Sequence, residues 1–290
     1  MRRFNVEADI MQQPSRTAEL CAIMRAIHQT DDGEPKILAD AIAPRLVDTR
    51  EDDEGLRALV GHPFAKQLRA GFLIRNRYAE DCLAECVERG LQQYAIFGAG
   101  LDTFAFRQPQ WAGFLRIYEI DRPASQLWKC DRLAASGIAI PSNLTFVSID
   151  FERALLADAL RAANFDFDSK TFCSWLGVTQ YLTPDAIRGT LEFMLSLPRS
   201  SEIVFSFVLP FETLPKAEAE ARAIAAHKAA QVGEPYLTTF RAEDLKAQLW
   251  EMGFSTVIHL MPEEVHERYL KNRRDGLKAR LGEQLVRAIV

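Results

Sequence analysis

The sequence predicts an α/β protein with a doubly wound, mostly parallel sheet, and three observations support this prediction. Short apolar runs alternate with helical segments from residue 93 onwards. The runs are almost continuously apolar and rich in Ile, Val and Phe, which is typical of strands buried on both faces of a parallel sheet. The first run leads straight into a Gly98-Ala99-Gly100 turn, as at the start of a nucleotide-binding half-sheet.

We predict one domain over 1–290, which begins with a helical N-terminal extension at 1–90 and continues with a core at 91–208. In the extension, Ser15 caps a first helix, a short helix covers 36–47, and a long helix runs over 64–89. The predicted strands are 93–97, 115–120, 144–149, 171–176, 202–208 and 254–260, and the helices between them are about 123–136, 152–163 and 183–196.

An Ala-rich helix at about 214–231 lies in the segment 209–240, after the fifth strand. Its small side chains predict weak docking, so we interpret it as a helical lid beside the ligand-binding edge. A plain peripheral helix is the alternative. The last part, 241–290, is predicted to complete the fold with a helix at 241–252, the strand at 254–260 and a basic helical tail at 262–289.

The composition argues against several kinds of partner and site. The 290-residue chain carries a net charge of -5, which argues against a nucleic-acid partner. Its five cysteines have no framework spacing, so we expect reduced thiols and a cytoplasmic protein. No run approaches the about 20 apolar residues that span a membrane, so no membrane partner is expected. The five histidines show no ligand spacing, and no metal site is predicted.

Acidic residues follow the predicted strands. Asp121 ends the second strand, 21 residues after Gly100, close to the spacing of a carboxylate that binds ribose hydroxyls. Asp150 and Phe151 end the third strand, where a carboxylate can accept from an adenine amine and a ring can pack against the base. Because right-handed crossovers bring these ends together, they predict a bound nucleoside. Thr103 replaces the third glycine of a dinucleotide fingerprint, which argues against NAD.

Arg75 presents a separate question. It lies within the apolar stripe of the long helix, between Phe72 and Ala79, where an unpaired charge would be costly. The local sequence offers it no acidic partner. Two explanations stay open: a buried ion pair with a distant Asp or Glu, or a ligand carboxylate or phosphate.

Several motifs carry a family resemblance and occur in that family's order. They are Ser15-Arg-Thr-Ala18, Ile74-Arg-Asn-Arg-Tyr-Ala-Glu-Asp81, Gly98-Ala-Gly-Leu-Asp-Thr103 with Phe106-Arg107, Glu119-Ile-Asp-Arg-Pro123, Asp150-Phe151, Trp175-Leu-Gly-Val-Thr-Gln-Tyr-Leu-Thr-Pro184 and Glu263-Glu-Val-His-Glu-Arg-Tyr269. With them, the chain resembles the leucine carboxyl methyltransferase family of class I S-adenosylmethionine-dependent methyltransferases, in its bacterial branch. The resemblance spans about residues 15 to 270.

The resemblance implies S-adenosyl-L-methionine as cofactor and S-adenosyl-L-homocysteine as product. It implies that Arg75 binds the methionine carboxylate, which would explain its lack of a local partner. The other implied cofactor contacts are Gly98, Ala99 and Gly100 at the methionine and ribose, Asp121 at the ribose hydroxyls, and Asp150 with Phe151 at the adenine. Leu176 stands where many members have Glu, so any cofactor contact there is lost or reduced to its backbone.

Three further residues are candidates for contacts with a substrate. Tyr181, just beyond the fourth strand, could donate a hydrogen bond to the acceptor oxygen or simply pack against the lid. Arg16 could clamp an anionic substrate or only cap the helical cover. Arg107 could bind substrate or hold the glycine loop.

We therefore expect an S-adenosylmethionine-dependent O-methyltransferase acting on a small molecule, with a carboxylate as one candidate acceptor. A carboxylate is ionised at neutral pH and needs no base, whereas a phenol or alcohol would want one. Two alternatives stay open at this point. One is an NAD(P)-dependent oxidoreductase on the same fold, and the other is a non-catalytic protein that binds the cofactor or a partner.

Overall fold

The computed structural model describes residues 15–47, 64–152 and 154–290. The acidic run at 51–54, expected to be a solvated loop, and the opening residues, expected to be irregular, lie outside these ranges. Within them, a seven-stranded sheet forms the centre of the fold. Its strands are β1 (Gln93–Phe97), β2 (Arg116–Asp121), β3 (Leu144–Ser148), β4 (Thr171–Trp175), β5 (Glu202–Val208), β6 (Thr256–Leu260) and β7 (Glu283–Ile289).

The order of the strands across the sheet is β3-β2-β1-β4-β5-β7-β6. Strands β1 to β5 pair in parallel, and β7 is antiparallel to both of its neighbours. The order reverses between β1 and β4, and ligands of open α/β sheets bind at such a switch point, beyond the carboxyl ends of the strands. The predicted doubly wound, mostly parallel sheet is confirmed.

Helices cover both faces of this sheet. They are α1 (Arg16–Asp31), α2 (Ala43–Leu46), α3 (Ala65–Glu88), α4 (Pro123–Ala135), α5 (Leu156–Ala162), α6 (Pro184–Leu195), α7 (Lys216–Gln231), α8 (Ala242–Met252) and α9 (Pro262–Val265), with a π-helical turn at His266–Leu270. Alternate residues of β1 enter different cores. Tyr94 and Ile96 pack in the core that contains α3, whereas Ala95 and Phe97 pack in the core that contains α6 and α8. The sheet is therefore buried on both sides, as its apolar strands predict.

The prediction of a helical tail at 262–289 is wrong beyond Leu270. After α9 and the π-helical turn, the chain returns as β7 and inserts between β5 and β6. The basic residues that suggested a solvated helix lie at 268–280, whereas the charged residues of β7 itself, Glu283 and Arg287, are paired inside the sheet. Arg287 Nε donates to the buried Glu202 at 2.6 Å, and Glu283 accepts from Arg75 at 2.7 Å. Because their partners are distant in the sequence, these charged residues give no local sign that the segment is a strand.

The predicted helix at 36–47 is also too long, because only α2 forms there. Asp40 Oδ1 accepts from the backbone N–H groups of Ile42 and Ala43 at 3.1 and 2.9 Å. Side-chain bonds of this kind compete with helix formation and favour a helix start after the acidic residue. The helix predicted at 152–163 likewise begins later, at Leu156.

A buried carboxylate fastens α1 to α3. Asp32 follows α1, is 6% exposed, and accepts from Arg69 Nε and Nη2 at 2.7 and 2.6 Å. His28 Nδ1 lies 2.8 Å from the same carboxylate, while its Nε2 accepts from Ile37 N at 3.1 Å. This pairing assigns the proton of a neutral ring to Nδ1. Burial raises the pKa of Asp32, but the bonds from His28 and Arg69 together lower it to about 2.

Substituting Asp32→Asn should therefore cost stability in a pH-dependent way. The depressed pKa stabilises the folded state above the ordinary Asp pKa of 3.8, and this stabilisation is lost as the pH falls towards about 2. The shift is equivalent to about 2 kcal/mol. In urea unfolding, the free energy of unfolding of the variant should lie well below that of the parent protein at about pH 7. This difference should shrink at about pH 3. The exposed neighbour Asp31→Asn is the control, and a deficit independent of pH would contradict this role.

Candidate active site

The glycine loop after β1 is closely packed from two sides. Gly98 has φ 64° and Gly100 has φ 49°, values in the left-handed region that favours glycine. A Cβ at Gly98 would overlap the side chain of Val178, and one at Gly100 would lie 2.8 Å from Ala18 Cβ. Glycine is thus required here by contacts with the end of β4 and with α1. The space beside Gly100, expected to admit a ligand, is partly filled by Ala18.

Asp121 braces this loop. Its Oδ2 accepts from Gly100 N at 2.5 Å, and its Oδ1 accepts from Arg122 N at 2.6 Å. Burial raises the pKa of Asp121, against the lowering effect of these two backbone bonds. Deeper in β2, the buried Glu119 is paired with Lys129 at 2.5 Å. Asp121 is therefore the acidic group of β2 that reaches the edge of the sheet, and each of its oxygens keeps a lone pair for a further donor.

The end of β3 presents an aromatic ring and a carboxylate. Phe151 is half-buried, with its centroid 6.2 Å from that of Phe97 and 6.5 Å from that of Trp175. Asp150 Oδ1 accepts from Glu152 N at 3.0 Å. Phe151 thus lies beside the ends of β1 and β4, and adenine binding by this pair stays a prediction.

Arg75 reaches the end of β4 and has the distant acidic partner that the sequence left open. Its Nη1 donates to Glu283 Oε1 at 2.7 Å, and its Nη2 donates to Cys21 Sγ at 3.2 Å. A Cβ at Gly177 would lie 2.5 Å from Arg75 Nη1, so the guanidinium is pressed against this glycine. Arg75 Nε is buried and has no hydrogen-bond partner among the described residues. The ion pair thus leaves donor capacity unused.

Glu283 is the carboxylate that three arginines of this region surround. Its side chain is 7% exposed. Burial alone would raise its pKa, but Arg75, Arg280 and Arg222 lower it to about 2. Glu283 is therefore anionic at neutral pH and a poor proton acceptor. Glu283 is not predicted as a site residue, because the sequence predicts a helix where the structure has the strand that carries it.

Tyr181 lies in a short 3-10 turn after β4, at Thr179–Tyr181. Its ring is half-buried, and its centroid lies 5.5 Å from that of Tyr236 in an edge-to-face arrangement. Burial first, and then Tyr236, raise the pKa of Tyr181 well above its usual value. The phenol is therefore protonated at neutral pH and can donate a hydrogen bond.

The segment after α7 crosses over this edge of the sheet. Glu234 Oε2 accepts from Thr17 N at 3.2 Å, and its Oε1 faces Arg122 Nη2 at 3.2 Å. One carboxylate thus connects the start of α1, the end of β2 and the segment predicted as a lid. Nothing in the local sequence distinguishes Glu234 from the solvated acids of the chain, and it was missed.

The two arginines predicted near substrate have other partners. Arg16 is exposed and pairs with Glu19 at 2.9 Å. Arg107 donates to Glu80 at 3.0 Å and to Thr103 at 3.0 Å, so it holds the segment after the glycine loop. The structure thus places Arg107 in the second of its two predicted settings. A substrate contact of either arginine stays a prediction.

The described residues also bear on metal binding and on membrane insertion. In the described ranges, no three His, Cys, Asp or Glu side chains are arranged to hold a metal ion. No helix in the same part of the chain is long and apolar enough to cross a membrane.

Solved structures share this architecture. A DUF574 family protein from Streptomyces avermitilis MA-4680 aligns with a TM-score of 0.61 at 16% identity, covering 97% of this chain and 99% of that one. A Thermobifida fusca YX structure, described as a "putative methyltransferase", aligns with a TM-score of 0.59 at 16% identity, covering 96% and 95%. The fold is that of the class I methyltransferases.

Sequence comparison identifies the family. The family model for leucine carboxyl methyltransferase matches residues 18–195. A Bacillus subtilis (strain 168) protein, "Putative S-adenosyl-L-methionine-dependent methyltransferase YktD", is 31% identical over 292 residues, covering 92% of this chain and 95% of that protein. These matches confirm the resemblance seen in the motifs: the chain belongs to the leucine carboxyl methyltransferase family and is an S-adenosylmethionine-dependent methyltransferase.

Proposed function

We propose that the chain is an O-methyltransferase that acts on the carboxylate of a small molecule. The observation that carries this proposal is the bonding of the groups around β4: Glu283 is paired with Arg75 at 2.7 Å, and the Tyr181 phenol packs beside Tyr236. Tyr181 is held neutral and Glu283 is held as a weakly basic carboxylate. The site therefore offers hydrogen-bond donors rather than a ready general base. An acceptor that is already ionised at neutral pH suits such a site, whereas an alcohol does not.

We further propose that Arg75 binds the methionine carboxylate of the cofactor. Its unpartnered Nε and its weak bond to Cys21 support this role, because a guanidinium can serve two carboxylates through different nitrogens. Glu283 would hold the guanidinium in place from the other side. Gly177 would let it lie against the backbone.

The other cofactor contacts proposed here follow the edge of the sheet. Asp121 would accept from ribose hydroxyls through its remaining lone pairs, and Asp150 would accept from the adenine amine. Phe151 would pack against the adenine. Leu176, which is half-buried, would offer its backbone and an apolar surface. Gly98, Ala99 and Gly100 would present their backbone to the methionine and ribose.

The cofactor supplies an electrophilic methyl group on a sulfonium. This chain's own contribution is then to align an acceptor oxygen with that methyl group, since much of the rate of an in-line displacement comes from positioning. Tyr181 would donate to the acceptor carboxylate and fix its orientation. We propose a small-molecule acceptor because the net charge of -5 favours no nucleic acid. The five free cysteines support a reducing, cytoplasmic setting for a single domain over 1–290.

The chemical stability of the product tests the choice of acceptor. A methyl ester releases methanol in mild base, whereas a methyl ether does not. The protein should be incubated with cofactor labelled in its methyl group and with a panel of small acids and matched alcohols. We expect volatile, base-released label from the acids. Label that stays bound after base treatment would contradict carboxyl methylation while leaving methyl transfer intact.

Substituting Gly177→Ala tests the position of Arg75. The new Cβ would lie 2.5 Å from Arg75 Nη1 and would push the guanidinium aside. Loss of a charge-assisted bond should weaken binding of S-adenosylhomocysteine by about tenfold or more in calorimetry. Gly137→Ala is the matched control, because Gly137 also has positive φ (62°) but a Cβ there meets nothing within 4 Å. Equal affinities of the two variants would contradict the proposed role of Arg75.

A further inference from the structure

The buried face of α7 contains a charged residue. Of this helix, Arg222 and Ala229 are buried, and Arg222 is only 2% exposed. Most of the apolar side chains that α7 offers are alanine methyl groups, which bury little area. Burial of an unpaired charge is costly. A helix that docks weakly and buries an arginine therefore needs an explanation beyond packing.

Arg222 has no hydrogen-bond partner among the described residues. Its Nε and Nη1 are both buried and unpaired. The nearest acid on its own helix, Glu218, is already engaged, because its Oε1 accepts from Leu281 N at 3.0 Å and from Gly282 N at 2.6 Å. A Cβ at Gly282 would lie 3.0 Å from Arg222 Nε. The guanidinium is thus held in place by packing, with its donors left for another group.

The charge of Arg222 is not balanced by the groups around it. Burial lowers the pKa of Arg222, and Arg280 lowers it further, to about 10, so the group is cationic at neutral pH. Glu283 attracts Arg75, Arg280 and Arg222. Its two oxygens face Arg75 at 2.7 Å and Arg280 at 3.5 Å. Three guanidinium groups therefore share the two carboxylates of Glu283 and Glu218, and the region can accept a further anion.

This cluster adjoins the proposed site of methyl transfer. Arg222 Nε lies beside Gly282, the residue before Glu283, and Tyr236, which follows α7, packs its ring edge-to-face on that of Tyr181. Glu234, in the same segment, holds Thr17 at the start of α1. The chain that carries Arg222 thus also covers Tyr181.

We propose that Arg222 binds the carboxylate of an acidic small-molecule acceptor and makes the lid selective for anions. This inference rests on the proposed carboxyl methylation. In that reaction a bond forms between a carboxylate oxygen and the methyl carbon. The sulfur–methyl bond breaks, and its electron pair stays on sulfur. The products are a neutral ester and a neutral thioether. The ester no longer attracts Arg222, which favours its release.

Thermal unfolding of the intact protein saturated with S-adenosylhomocysteine tests this role. The variants are Arg222→Met, Arg222→Lys and the control Lys228→Met, an exposed cation on the same helix. The probes are small aliphatic and aromatic monocarboxylates, each paired with its primary amide. Without probe, Arg222→Met should melt about 2–4 °C higher, because a buried unpaired charge is removed. A purely structural arginine would instead make the variant melt lower.

The probes give the second readout. Carboxylates, and not their amides, should raise the melting temperature of the parent protein and of Lys228→Met. Arg222→Met should lose this response, and Arg222→Lys should keep part of it because it keeps the charge. A retained response in Arg222→Met would overturn the proposal. So would the lack of a response of the parent protein to every carboxylate.

Kinetics separate this inference from the proposed function. On acids that yield base-labile product, Arg222→Met should lower kcat/KM by about 10- to 100-fold. An unchanged kcat/KM on those acids would refute the role of Arg222 and leave carboxyl methylation standing. Base-stable product from acidic acceptors, lost in Arg222→Met, would refute carboxyl methylation and support Arg222 as the anion-binding residue.

Discussion

The ion pair between Arg75 and Glu283 is the interaction on which the candidate site depends. It joins the middle of α3 to the start of β7, two elements that are far apart in the sequence. A buried pair of this kind is strongly destabilising when one partner is lost, because the other charge stays buried. The pair therefore fixes both the guanidinium against Gly177 and the strand that completes the sheet. Under the proposed role of Arg75, folding and cofactor binding depend on the same charge.

The surroundings of this pair and of the nearby sheet edge include segments that are far apart in the sequence. The α1 helix supplies Cys21 to Arg75 and Ala18 to the glycine loop. The segment after α7 supplies Glu234 and Tyr236. Many α/β proteins bind a nucleoside at this edge of the sheet. In this chain, other segments cover that edge.

The sheet and the strand ends could be predicted from the sequence because their signals are local. An apolar run, a Gly-x-Gly turn and an acidic residue at the next strand end occupy a few neighbouring positions, and β1, Gly100 and Asp121 follow this pattern. Arg75 could be recognised as a residue in need of a partner for the same reason. Its partner could not, because Glu283 lies on a strand that the sequence predicts as part of a helical tail. Arg222 was equally hidden, since an arginine in an Ala-rich helix is normally exposed.

A crystal structure of the protein with S-adenosylhomocysteine tests the central claim most directly. We expect the methionine carboxylate of the ligand to contact Arg75 while the bond from Arg75 to Glu283 is kept, with the ribose at Asp121 and the adenine beside Phe151. A ligand whose carboxylate is held elsewhere, with Arg75 bonded to Glu283 alone, would contradict the claim that this ion pair prepares the cofactor site.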